Sequence, residues 1–422
     1  MRITIITLGS QGDVQPYVAL GLGLRSAGHS VRVATHACFE TLVRSRGLDF
    51  FPIAGGPRDI VESDVGRTWL AAGGNALLFA RGLLRVIEPL VERCGLDCWS
   101  ACQGTEAIVA SRLGFWAGFQ IAEKMRVPIF PAYLQPFTAT RAFPAPYFLS
   151  SSRLGSRFNL LTHMVAENFL WQAFRPWVNR FRQEVLGLAP FSFRVPCGRS
   201  SKRGLAILYG YSSSVLPKPL DWSERIYVTG YWFLNHSSDW QPPADLADFL
   251  SSGPPPVYIG FGSMNTHNRE ELTNLVVQAL VRVRQRGILL TGWGGLASTN
   301  FSDDVFSMES APHDWLFPRM AAVVHHGGAG TTAAGLRAGI PTVIMPFFAD
   351  QPFWGRRVYE LGAGTPPIPR KRLSVERLAE AIRAATADKQ MRDRAATLGR
   401  SIRAEDGVSR AVEAFHRHVS AL

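Results

Sequence analysis

The sequence predicts an α/β protein made of two doubly wound parallel-sheet domains in tandem. Three observations carry that expectation. The chain opens on a strand, turn, helix and second strand; a proline-rich stretch divides it near its middle; and a second αβ series follows that stretch. A length of 422 residues suits two domains, at about 150–200 residues each.

In the first half, the β-branched run Arg2 to Thr7 reads as a strand, and Gly9 to Pro16 as a turn. Val18 to Ala27 reads as a helix that Gly28-His29 stops before a second strand, Val31 to Thr35. That is a right-handed βαβ unit, the usual opening of an open parallel sheet. A helix over Leu77–Cys102, a strand at Ala107–Ser111, a helix over Ala117–Met125 and a strand at Ile129–Tyr133 continue the pattern. Between residues 150 and 188 the texture changes. Arg153, Arg157, Arg175, Arg180 and Arg182 alternate with Phe158, Leu160, Phe169, Trp171, Phe174, Trp177 and Phe181. Helices basic on one side and aromatic on the other fit a lid, an interfacial membrane segment or the filling of a core.

The stretch from Pro217 to Pro256, with Pro242-Pro243 and Pro254-Pro255-Pro256, is expected to be the interdomain linker. After it come a strand at Val257–Gly260, a loop at Phe261–Asn265, a helix over Glu270–Arg286, and strands at Ile288–Thr291 and Ala321–His325. A glycine loop, Gly327 to Thr332, then leads to a helix at Ala333–Ala338 and a strand at Thr342–Met345. The cleft between two such domains is the default ligand site.

Composition narrows the function. Apolar residues make up 46% and charged residues 18%, with a mean hydropathy of +0.03, which excludes a mainly disordered chain. No apolar run approaches the roughly 18 residues of a membrane span, and the first strand does not read as a signal peptide. A cytoplasmic location follows, with at most weak, salt-sensitive peripheral membrane contact. The net charge of +12 comes from scattered residues, the only compact basic run being Arg370-Lys371-Arg372. No zinc-finger, RRM or KH pattern accompanies it, so no nucleic-acid partner is expected. An anionic small substrate or an anionic membrane would suit the sign. Five cysteines is an odd count against a disulfide framework. Cys94, Cys98 and Cys102 recur every four residues without further nearby His or Cys ligands, which favours core packing over a metal site.

The chemistry concentrates in His325-His326-Gly327-Gly328-Ala329-Gly330-Thr331-Thr332, placed between a strand and a helix. Glycines let a ligand approach the backbone, and a helix N-terminus offers free N–H groups to an anion. The loop has neither the lysine of a Walker A motif nor GxGxxG spacing; a tight turn with a buried histidine is the plainer alternative. Pro346-Phe347-Phe348-Ala349-Asp350-Gln351 begins where the next strand ends. Its adjacent carboxylate and amide can hold several sugar hydroxyls, or Asp350 can simply cap a helix. Asp13, on the turn after the first strand, is either a general base or a capping carboxylate. No Asp-x-Asp metal motif occurs in the chain.

These segments, with Ala311-Pro312-His313-Asp314-Trp315-Leu316-Phe317-Pro318 and Gly9-Ser10-Gln11-Gly12-Asp13-Val14-Gln15-Pro16, resemble the nucleotide-sugar-dependent glycosyltransferases of family 1, the UDP-glycosyltransferase superfamily. The similarity points to the sterol 3-beta-glucosyltransferases and the bacterial enzymes that glycosylate antibiotic aglycones. It covers nearly the whole chain, most specifically residues 311–351. The resemblance implies the GT-B architecture, two facing Rossmann-like domains. Residues 1–216 would bind acceptor, 217–256 would link, and 257–405 would bind donor. A C-terminal helix within 406–422 would cross back to the first domain.

The resemblance further implies His326 on the donor diphosphate, with the backbone of Gly328, Gly330 and Thr331 beside it, and Ser263 and Gly12 near the same donor. Pro312 and His313 would line the base, and Asp350 and Gln351 would hold the sugar. Ser310 stands where plant relatives carry a stacking tryptophan, which passes that role to Trp293. Ala334 stands where an acidic residue is expected on the ribose. Asp13 would be the base, without metal or other cofactor. The expected activity is inverting transfer of a hexose, glucose from UDP-glucose, to a hydroxyl of a lipophilic acceptor that Phe158, Trp171 and Phe174 would contact. A nucleotide-sugar epimerase on the same plan and a non-catalytic auxiliary protein are the alternatives. Neither the acceptor nor the oligomeric state is written in the sequence.

Overall fold

The computed structural model describes residues 1–56, 92–147, 155–193, 204–236, 240–262, 269–292, 296 and 303–419. Ser263 and Trp293 lie outside the described residues, as does most of the expected helix over Leu77–Cys102; residues 92–101 are helical. The chain divides into two compact units. The first comprises Met1–Ser213, Pro217–Leu234 and Asp406–Leu422, and the second Ser214–Leu216 and Asn235–Glu405.

The first unit is built on seven strands: β1 (Arg2–Ile6), β2 (Ser30–His36), β3 (Asp49–Ile53), β4 (Ala107–Ala110), β5 (Ile129–Tyr133), β6 (Ile207–Tyr209) and β7 (Ile226–Val228). They run β3-β2-β1-β4-β5-β6-β7, and every neighbouring pair is parallel. β4 and β5 are buried at every position, as strands covered on both faces must be. The strand order reverses between β1 and β4. In a parallel sheet such a reversal opens a crevice at the strands' C-terminal ends.

The second unit repeats the plan with β8 (Val257–Gly260), β9 (Gly287–Leu290), β10 (Val305–Met308), β11 (Ala322–His325) and β12 (Thr342–Ile344). The order is β10-β9-β8-β11-β12, all parallel. Its reversal point lies between β8 and β11, where β11 delivers the histidine–glycine turn. Two doubly wound sheets were the expectation, and two are present.

Several boundaries differ from the sequence reading, each for a local reason. The first helix starts at Gln11, not Val18. Pro16 stands inside it and lacks only the N–H that would reach the Gly12 carbonyl; the next carbonyl, of Asp13, also accepts from the Thr7 hydroxyl at 2.6 Å. β7 falls inside the stretch read as linker, because Ile226-Tyr227-Val228 pairs with β6. The helix after β11 begins at Ala329, which shortens the glycine loop to Gly327-Gly328. The edge strand β10, only four residues long, escaped the sequence reading.

The last helix, Gly407–Val419, belongs to the first unit. It buries Ala411, Val412, Ala414 and Phe415, with the Phe415 ring 4.5 Å from that of Phe130 on β5. Val408 packs against Gly23 of the first helix, and His416 meets His29 at 2.8 Å. Cys98 and Cys102 are buried core residues. Among the described residues no helix is long and apolar enough to cross a membrane.

Candidate active site

β11 ends on His325, whose side chain is completely buried. Its Nδ1 accepts the Gly327 N–H at 2.9 Å, which leaves the proton on Nε2. Gly327 has φ +92°, and a Cβ there would stand 2.7 Å from Ile344 Cγ2 and 3.1 Å from the Gln351 carbonyl oxygen, so only glycine lets the chain turn here. Gly328 then caps the helix Ala329–Ala338, whose first turn carries no acidic residue. The N–H groups of Ala329, Gly330 and Thr331 lack intrahelical acceptors, and the positive end of the helix dipole is not neutralised.

Three buried polar atoms surround this N-terminus without a hydrogen-bond partner among the described residues: His325 Nε2, His326 Nδ1 and Thr332 Oγ1. Buried polar atoms are nearly always paired, so such a concentration marks this turn as a candidate binding site. The His326 ring lies over the neighbouring turns. A Cβ on Gly262, after β8, would stand 3.4 Å from its Cε1, and one on Gly328 2.5 Å from its Nε2. Burial lowers the His326 pKa to about 4 and keeps the ring neutral at physiological pH. The turn is neutral and rich in hydrogen-bond donors.

The other expected donor residues of this unit gather on the same strand ends. Pro312 caps the short helix His313–Leu316. His313 lies flat on Phe317 at 4.3 Å, with Nε2 3.3 Å from the Tyr258 hydroxyl; burial lowers its pKa to about 4. Gln351 is buried, and its side-chain oxygen accepts the N–H groups of Phe347 at 2.7 Å and Phe348 at 3.2 Å. Asp350 caps the helix Gln351–Glu360 by position, and its Oδ2 accepts the Trp354 indole N–H at 2.9 Å. Between them Ala349 holds φ +56°, a left-handed conformation costing about 1–2 kcal/mol for a residue with a Cβ. Gln351 therefore fixes the loop that presents Asp350. His325 and Thr332, to which the sequence reading gave no role, share the orphaned cluster. The one sequence signal for His325 was a histidine closing an apolar strand.

In the first unit, Ser10 caps the helix Gln11–Ser26, and Asp13 Oδ2 accepts both the Ser10 N–H and the Ser10 hydroxyl at 2.9 Å. Gly9 has φ +129°, and a Cβ there would lie 2.5 Å from that same oxygen; the glycine makes room for the carboxylate. The Gly9 N–H is held by His36 Nε2 at 3.1 Å. Asp13 thus closes a capping box from the third helical position, half-buried beside Gly12. Burial raises its pKa above the ordinary carboxylate value, more than the Ser10 bonds lower it.

The aromatic segment forms one helix, Ser156–Arg180. Trp171 is fully buried, its ring stacked on Trp116 at 5.9 Å and its indole N–H donated to the Phe193 carbonyl. Phe174, half-buried, stacks on the other end of the same group at 5.7 Å from Trp116. Phe158 is half-buried near the helix start. Trp171 thus serves the packing of the unit.

Comparison with known proteins first fixes the class. The fold is that of VinC, a glycosyltransferase solved in complex with dTDP, which superposes with a TM-score of 0.69 at 18% identity over 99% of each chain; the architecture is GT-B. Two family models then match, the glycosyltransferase family 28 N-terminal domain over residues 3–144 and the erythromycin biosynthesis protein CIII-like C-terminal domain over residues 290–412. A sterol 3-beta-glucosyltransferase of Emericella nidulans is 40% identical over 429 residues, covering 99% of this chain and 30% of the relative. Sterol 3-beta-glucosyltransferase UGT80A2 of Arabidopsis thaliana is 39% identical over 427 residues, covering 99% of this chain and 66% of the relative. The chain is thus similar along nearly its whole length to glycosyltransferases. It spans about a third of the fungal relative's length and just under two thirds of the plant relative's.

Proposed function

We propose that the chain transfers a hexose, glucose from UDP-glucose, to a hydroxyl of a lipophilic acceptor such as a sterol or polyketide aglycone, with inversion. The observation that carries this reading is the helix N-terminus at Ala329, which no side chain caps and which lies beside three unpartnered buried polar atoms, in a chain about 40% identical to sterol 3-beta-glucosyltransferases. The leaving diphosphate bears the charge that develops as the sugar–oxygen bond breaks. Preorganised N–H groups, the helix dipole and the His326 ring stabilise it there. Asp350, presented by the strained loop, and Gln351 hold sugar hydroxyls, and Pro312 and His313 line the base.

Asp13 takes the acceptor proton as the acceptor oxygen attacks the anomeric carbon. Its capping bonds engage Oδ2 and fix the carboxylate, while burial makes it a stronger base than an exposed one. The test is incubation with UDP-glucose and a panel of sterols, macrolides and flavonoids, read by mass spectrometry. A β-linked glucoside with release of UDP is expected. An epimerised donor without product would assign an epimerase instead, and no reaction with any acceptor or donor would mark an auxiliary protein.

A further inference from the structure

The Ser156–Arg180 helix is amphipathic with its apolar stripe turned to solvent. Leu161 is 52% exposed, Met164 58%, Val165 48% and Phe169 51%. Their spacing of three, four and eight residues puts them on one face. Phe193, 70% exposed, joins them: its carbonyl accepts the amide of Gln172 from that helix at 2.8 Å, and its ring covers the Arg175 guanidinium at 3.9 Å. Five of the twelve exposed large apolar residues among those described therefore belong to one patch, which is clustering rather than ordinary scatter. The side of the helix next to the stripe is locked by Trp171 and Phe174 stacked on Trp116, so the exposure belongs to a helix held in place.

Charge indicates what covers this face. Arg157 and Arg180 are both exposed and stand at its two ends, about 35 Å apart along the helix axis. The helix's one carboxylate, Glu167, is half-buried off the stripe and senses Arg112. An apolar stripe with basic ends and no exposed acid is the pattern of a helix lying in a membrane interface. A second copy of the chain would bring Arg157 and Arg180 against like charges wherever two stripes met in parallel.

We propose that the Leu161–Phe169 face, with Phe193, docks the chain on an anionic lipid bilayer. The docking rests on the helix itself. That a bilayer is also where a lipophilic acceptor dissolves follows only if the functional reading above holds.

The test is co-sedimentation of the full chain with phosphatidylcholine vesicles, with and without about a third phosphatidylglycerol. Binding to the anionic vesicles is expected, weakening as NaCl rises from about 0.1 to about 0.5 M because screening shortens the reach of the arginines. Joint replacement Leu161→Gln, Met164→Gln, Val165→Gln and Phe169→Gln should lower the partition coefficient at least about tenfold, the scale of losing several buried methylene groups. Arg157→Gln with Arg180→Gln should remove most of the salt response and the preference for anionic lipid. Circular dichroism checks folding, and Phe193→Gln alone serves as a milder variant with a smaller loss. Absence of wild-type binding, or binding untouched by the fourfold variant, overturns the proposal. So does a wild-type dimer, seen by light scattering, that the fourfold variant splits without changing vesicle binding. Turnover of a cyclodextrin-delivered sterol separates the two readings: its loss in the fourfold variant makes the face an acceptor wall and overturns docking, whereas no turnover in any variant leaves the sedimentation result standing.

Discussion

Two turns of this molecule do the same topological job with opposite chemistry. Each follows a parallel strand at a sheet's reversal point and starts a helix: Gly9–Asp13 after β1, and His325–Ala329 after β11. The first closes on itself. Asp13 satisfies the Ser10 N–H and hydroxyl, and its charge sits on the positive end of its own helix. The second stays open, with no acid in its first turn and three buried polar atoms without partners. A capped helix end repels an external anion and fixes a carboxylate, while an uncapped one waits for a phosphate. On the proposed reading, the first turn holds a base and the second an anion.

The largest test of that contrast is Asp13→Asn. Turnover should fall by about two to four orders of magnitude, the scale of general-base loss, while UDP affinity stays within about twofold. Ionised Asp13 is disfavoured by burial, so its folded pKa lies above its unfolded one. Its stabilising effect is present at low pH and lost as pH rises through the folded value. Asp13→Asn should therefore melt no lower than the wild type at neutral pH, and a marked fall in melting temperature would make Asp13 chiefly a structural cap. The acid limb of kcat/KM should also lie above the ordinary carboxylate range.

His326→Ala should weaken UDP binding roughly tenfold to a hundredfold, as losing a hydrogen bond to a charged group does; calorimetry giving unchanged affinity would remove His326 from the cup. Because burial holds its pKa near 4, a diphosphate beside the ring should raise it. UDP binding near pH 6 should then take up protons, measured as a dependence of binding enthalpy on buffer ionisation heat, and His326→Gln should abolish the uptake. In the unliganded protein the sign is the reverse of Asp13's. His313 and His326 stabilise the fold above about pH 6.5, and that contribution drains away as pH falls towards about 4.

The smallest effect concerns the loop that presents Asp350. Ala349→Gly should relieve the left-handed strain and raise stability by about 1 kcal/mol, read by chemical denaturation, with little change in UDP affinity. A loss of stability would show that the conformation is not strained in the folded protein.

Much of this was legible in the sequence. Glycines, β-branched runs and a helix stop outlined both sheets, and the histidine–glycine turn stood out because it joins a strand to a helix N-terminus with glycines that open the backbone to a ligand. What was not legible depended on partners distant in sequence. Trp171 reads as one aromatic among many until Trp116 is found stacked on it. β7 hides among prolines because its evidence is pairing with β6. Gln351 reads as a sugar ligand, and only the folded loop reveals that its oxygen also secures Phe347 and Phe348. His325 was passed over because its importance lies in an atom without a partner, which a sequence cannot display.

The contrast between the turns can be measured directly by hydrogen exchange with and without saturating UDP. Slower exchange of the backbone amides within residues 328–332, with residues 9–14 unchanged, is the result expected of an open anion cup in one unit and a self-capped base in the other. Protection at residues 9–14, or none at 328–332, would contradict it.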